Sequence, residues 1–230
     1  KNPCKMKRRQ FNKLITSVSS CIVISNAYSF SKIKQNYGIS LAQWSLNKMI
    51  KTEKTLNPIN FAQKAKELGF NAIEYVSTLY RRELEKMNIS ELTKKLISNS
   101  KDHNIKNLLI MVDQEGDLSS SNYNEILQSI DKHKKWIEMA NELGCHSVRV
   151  NLNGEDDIEK WKDNSIVGLT KLCEFADNIN IIVENHGGNS SNGKVLAEVI
   201  RNVNLNNCGT LPDFGNFCIK RSKKSSSPKE

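Results

Sequence analysis

The chain has 230 residues, 38% apolar and 26% charged, an ordinary soluble balance that leaves room for one large domain or two small ones. Its formal charge of +9 invites a nucleic-acid reading, but the excess sits at the ends. Residues 1–27 carry six Lys or Arg and no acid, residues 220–230 carry five against Glu230, and the body between holds 23 basic and 24 acidic residues. A near-neutral body argues against a nucleic-acid partner. Six cysteines without a C-x-x-C argue against a disulfide framework and a zinc-cysteine site.

In chain order, "KRRQFNKLI" (7–15) comes first, followed by the moderately apolar "LITSVSSCIVIS" and by "SNA". Arg8, Arg9, Phe11 and Lys13 match R-R-x-F-x-K, so residues 1–27 resemble a bacterial twin-arginine signal peptide cut after Ala27. The resemblance implies a periplasmic location and the twin-arginine export machinery as a partner. A basic amphipathic first helix and a lipoprotein signal cut before Cys21 stay open beside it. The apolar stretch is too short and too polar for a stable membrane span.

From Gly38 strand-like and helix-like runs alternate. "GISLAQWSL" (38–46) precedes a helix in which Asn57 caps, Pro58 takes the first position and Gly69 ends the last turn. Strands follow at 70–76, 105–113, 145–152, 179–187 and 208–216, with helices at about 89–103, 122–143, 165–178 and 191–203 between them. Six strands alternating with five helices predict an α/β fold with a parallel sheet inside, either doubly wound or a closed barrel. "AKELGFNAIEYV" (65–76) echoes "ANELGCHSVRVN" (140–151), the spacing of two strand-helix units, which favours a ring of equivalent strands. No glycine fingerprint for a dinucleotide or a phosphate loop follows any strand.

In a barrel the chemistry belongs at the C-terminal ends of strands. Gln43, Trp44, Glu74, Asp113, Arg149, Asn151, Glu184, His186, Asp213 and Asn216 fall there. "IIVENHGG" (181–188) breaks from apolar residues into Glu184, and a strand-end carboxylate needs a positive partner. A hard divalent cation shared with Asp213 supplies one. Arg149 on the neighbouring strand supplies another, as a buried ion pair. His103, His133 and His146 read as helix or strand-start residues without a function, and Trp136 and Trp161 as packing.

"ISLAQWSL", "AKELGFNAIEYV", "IIVENHGG" and "LPDFGNF" together resemble the sugar phosphate isomerase/epimerase family of xylose isomerase-like barrels, from about Ile39 to Ile219. The resemblance implies a (β/α)8 TIM barrel over residues 38–219, apparently truncated after the sixth strand, while the polar, Ser/Lys-rich residues 220–230 read as a disordered tail. It implies metal ligation by Glu184 and Asp213, with Mn, Mg, Co or Zn as the ion. The family's further ligands, a His on strand seven and a Glu on strand eight, have no counterpart here. Glu184 is then also the catalytic carboxylate that moves a proton through an enediolate on a small-molecule substrate, a sugar or a sugar phosphate. His186, Arg149, Trp44, Glu74 and Asn216 are the expected substrate-binding residues. Two other readings are a non-catalytic periplasmic carbohydrate-binding remnant of the fold and an apurinic-site endonuclease. The near-neutral body and the few strand-end histidines speak against the latter.

Overall fold

A computed structural model describes residues 38–154 and 156–217, and beyond them the backbone of Lys220–Arg221 and Pro228–Lys229. The expected leader over residues 1–27 lies outside the described residues. The described chain runs as β1 (Leu41–Ala42), α1 (Asn47–Lys51), α2 (Phe61–Glu67), β2 (Ala72–Val76), α3 (Arg81–Leu84), α4 (Ile89–Asp102) and β3 (Lys106–Met111). It continues through α5 (Tyr123–Leu143), β4 (Ser147–Val150), α6 (Ile158–Phe175), β5 (Asn180–Glu184), α7 (Gly193–Val203) and β6 (Cys208–Leu211). Lys220–Arg221 and Pro228–Lys229, inside the expected tail, form an antiparallel pair, β7 and β8. No helix among the described residues is long and apolar enough to cross a membrane.

The six main strands form one parallel sheet in the order β1-β2-β3-β4-β5-β6. Each strand pairs with its sequence neighbour, as the βα alternation requires. Among the described residues β1 and β6 do not pair, so the strands make an open arc of TIM-barrel type. Strand faces follow the period of two. Ile73, Tyr75, Val148, Val150, Ile181 and Val183 pack outward with the helices in the main core. The alternate positions turn inward. Val76, Leu109 and Met111 form a second apolar cluster with Ile50 and Leu79, against which Ala42, Ile182 and Leu211 pack. A parallel strand buried on both faces reads as continuously apolar, which is why Arg149 and Glu184 stand out in β4 and β5.

Helix starts are set by side-chain caps. Asn57 accepts from Ile59 N at 2.9 Å with Pro58 next, Asn88 from Glu91 N at 2.9 Å, and Asp157 from Lys160 N at 3.0 Å. The first strand is shorter than "GISLAQWSL" suggests, because the chain turns at Gln43 into a 3₁₀ helix, Gln43–Leu46. Gln43 is fully buried: its amide donates to the Tyr80 hydroxyl at 2.8 Å and accepts from Val76 N at 3.0 Å. Those bonds hold the turn over the β2 end and place Trp44 on a turn, not a strand.

Candidate functional site

The C-terminal ends of the strands open into a cavity of about 910 Å³. Of the residues expected to act, Trp44, Arg149, Glu184, His186, Asp213 and Asn216 line it. Glu74 is not brought into it. It faces inward one layer lower, in register with Ala42 and Leu109, and accepts a hydrogen bond from Ser40 Oγ at 2.5 Å.

Glu184 ends β5 opposite Leu211 of β6, and Asp213 follows two residues later. The residue between Glu184 and His186 locks the two strand ends together. Asn185 is buried, donates from Nδ2 to the Asp213 carbonyl at 2.8 Å and accepts from Asp213 N at 2.7 Å. With that backbone fixed, the two carboxylates converge. Asn216 Nδ2 donates to Glu184 Oε1 at 3.3 Å and to Asp213 Oδ2 at 3.1 Å, so one nitrogen stands between them. Gly215 N donates to the other Asp213 oxygen at 2.7 Å, completing a tight turn.

The second oxygen of Glu184 meets Arg149, whose Nε lies 2.9 Å from Oε2. This is a charge contact without hydrogen-bond alignment, since that N–H has no acceptor in line. Arg149 Nη1 donates to Asp113 Oδ1 at 2.6 Å, and Asn151 Nδ2 reaches the same oxygen at 2.9 Å. Arg149 is 5% exposed and in register with Met111 and Ile182, so its charge sits on an apolar floor between two acids. A buried guanidinium requires such partners. The buried ion pair and the converging carboxylates are therefore both present, on opposite oxygens of Glu184.

Two carboxylate oxygens meeting at one nitrogen fit a hard cation, which would take the place of the amide N–H dipole and draw further ligands from water or substrate. Among the described residues there is no group of three or more His, Cys, Asp or Glu suited to a metal, so the fit is to a two-acid half-site.

His186 is exposed at the rim, with its backbone N–H donated to Ser190 Oγ at 3.0 Å. Trp44 is half exposed, and Lys51 Nζ lies 5.4 Å from its ring centroid. Several cavity residues carry no signal in the sequence, Glu115 and His133 among them. Glu115 stands just past β3, and His133 is buried on α5 at a position that reads as core. Only the folded approach of the β3–α5 loop to α5 could have shown them.

Residues 62–225, well over half of the chain, match the family model described as a xylose isomerase-like TIM barrel. The chain belongs to the xylose isomerase-like TIM barrel family. No curated protein matches it. Among solved structures, it resembles the IOLI protein with a bound zinc atom at 18% identity and a TM-score of 0.63, over 79% of this chain and 64% of that one. A D-tagatose 3-epimerase-like protein gives 18% and 0.62, over 78% and 66%. A D-psicose 3-epimerase determined in the presence of D-fructose gives 16% and 0.57, over 69% and 58%. The chain thus spans about two thirds of these structures or less, and at such identities the likeness shows the fold of the family alone.

Proposed function

We propose that the chain carries the metal-binding part of a sugar isomerase or epimerase site, one that relocates a proton on a carbon beside a carbonyl. One observation supports this reading above others: Glu184 Oε1 and Asp213 Oδ2 share the Asn216 amide nitrogen, at 3.3 and 3.1 Å. A divalent ion held by these acids, Mn, Mg, Co or Zn, supplies the pull on carbonyl and hydroxyl oxygens that makes the neighbouring C–H acidic. Asn185 holds the two strand ends in register, and Arg149 fixes Glu184 from behind so that Oε1 faces the cavity. Glu184 would take the proton on its own face of that carbon; delivery of a proton from a second acid or a water on the opposite face would give the epimer, and return by Glu184 to the neighbouring carbon would give the isomer. His186 and Asn216 hold hydroxyls, and the exposed face of Trp44 packs on the apolar side of the sugar. The sugar epimerases among the structural neighbours support the substrate class. The pattern at Arg8, Arg9, Phe11 and Lys13 supports export to the periplasm.

The experiment is manganese titration followed by exchange of carbon-bound hydrogen in heavy water over a panel of ketoses and aldoses. Exchange is expected to require the ion and to fall at least a hundredfold in Glu184→Gln and Asp213→Asn. Exchange that both variants retain would sink the proposal. One observation favours a carbohydrate-binding chain without turnover, namely that Arg149 already neutralises Glu184 at 2.9 Å. Sugar binding without exchange would establish that reading instead.

A further inference from the structure

The cavity has a second polar wall that the proton-transfer chemistry does not use. His133 on α5 is 3% exposed and lines the cavity. Its Nδ1 lies 2.7 Å from the Ser129 carbonyl, which can only accept, so the ring carries its proton at Nδ1 and presents Nε2 as an acceptor. Burial lowers its pKa from the ordinary imidazole value, against the smaller opposing effects of the Ser129 carbonyl and Glu115, which keeps the ring neutral and Nε2 unprotonated at neutral pH. Nε2 has no partner among the described residues.

Glu115, in the loop after β3, lines the same cavity. Trp136 Nε1 donates to its Oε1 at 2.8 Å, and Lys135 Nζ sits 3.1 Å from that oxygen. Oε2 has no partner among the described residues. The loop lies against α5 at Gly116, where φ is +96° and a Cβ would stand 3.0 Å from Ser129 Cβ. Only glycine tolerates both the angle and the approach. That approach brings Glu115 beside the turn that bears His133, and Trp136 from the next turn fixes its carboxylate.

One buried acceptor and one partly buried acceptor, neither with a donor of its own, recognise a ligand that brings donors. The charge of the walls narrows the choice. Asp113, Glu115, Glu184 and Asp213 line the cavity against Lys51 and Arg149. Arg149 is engaged by Asp113 and Glu184, and Lys51 lies over Trp44. A phosphoryl group would meet carboxylates where a hydroxyl meets acceptors.

Resting on the proposed sugar reading, we infer that His133 Nε2 and Glu115 Oε2 form a subsite that accepts hydrogen bonds from unreacting hydroxyls of an uncharged polyol and rejects a phosphate there. The test uses the full chain with manganese, measuring D-fructose and D-fructose 6-phosphate binding by calorimetry alongside hydrogen exchange. The wild type is expected to prefer the free sugar. Glu115→Gln and His133→Asn are each expected to weaken D-fructose about tenfold, the worth of one charged or well-placed hydrogen bond. Glu115→Gln is also expected to narrow the preference over the phosphate, a change that a purely structural role would not produce. Glu115 is at the cavity wall, so its variant keeps the test open if His133→Asn does not fold. D-fructose affinities within twofold of wild type in the folded variants, or tighter binding of the phosphate by wild type, would overturn the subsite and leave the exchange reading standing. Binding that follows the expected pattern without hydrogen exchange would uphold the subsite and remove the isomerase reading. No binding of either sugar would remove both.

Discussion

Asn185 shows how one amide decides the geometry of two acids. Its side chain meets the Asp213 backbone through one donated and one accepted bond, 2.8 and 2.7 Å, so only a group with both functions fits. Aspartate has the acceptor without the donor. Asn185→Asp would set a buried carboxylate against the Asp213 carbonyl and leave one bond unmade, so we expect a loss of about 2 kcal/mol in urea unfolding. Weakened manganese binding should accompany it, because Asp213 would no longer be held toward Glu184. Wild-type stability and metal affinity in Asn185→Asp would show that the clamp is incidental. Glu184 stands out in the sequence because a carboxylate at the end of an apolar strand contradicts its surroundings, and Asp213 through the resemblance of "LPDFGNF" to the family. Asn185 was not, since an amide between Glu and His reads as loop chemistry until β6 lies beside it. His133 was hidden for the opposite reason, as a polar residue on the buried face of a helix resembles core.

At the scale of elements, periodicity and caps gave the order of strands and helices, and the errors fall where a tertiary contact overrides them. The first strand was read as 38–46 and ends at Ala42, because the Gln43 amide is drawn down onto Val76 and Tyr80. The third long helix, α6, starts at Ile158 and not near 165, since Asp157 caps it. Within α6, Gly168 looks like a weak point by helix propensity, where alanine would add about 1 kcal/mol. The packing reverses that sign. A Cβ at Gly168 would lie 2.0 Å from the carbonyl oxygen of Leu118, a fully buried residue of the β3–α5 loop. Backbone cannot yield as a flexible side chain can, so Gly168→Ala is expected to destabilise by about 2 kcal/mol in thermal or urea unfolding. A neutral or stabilising effect would mean that the loop is not seated on the helix. The loop so seated carries Glu115 and Gly116, and the same substitution should therefore weaken sugar binding as well.

Across the whole molecule, the arc of six strands puts an apolar floor beneath a rim of like charge. Asp113, Glu184 and Asp213 stand above Val76, Met111, Ile182 and Leu211, with Arg149 the cation between the first two. Asp213 is left with neutral donors from Asn216 and Gly215. Folding therefore gathers an acidic surplus that a divalent ion would relieve, and the unfolded chain, which does not hold the two acids together, would bind the ion far more weakly. An ion that binds only the folded state stabilises it by about 2.7 kcal/mol at a hundred times its dissociation constant. For a chain of this size that corresponds to a rise in melting temperature of roughly 5–10 °C. Manganese is expected to produce such a rise, saturating with concentration and abolished by a chelator, and Asp213→Asn should remove most of it. The variant should also melt no lower than wild type without the ion, because it takes away one of the crowded charges. A rise that persists in Asp213→Asn would place the ion elsewhere, and the absence of any rise in the wild type would mean that Arg149 alone balances the site.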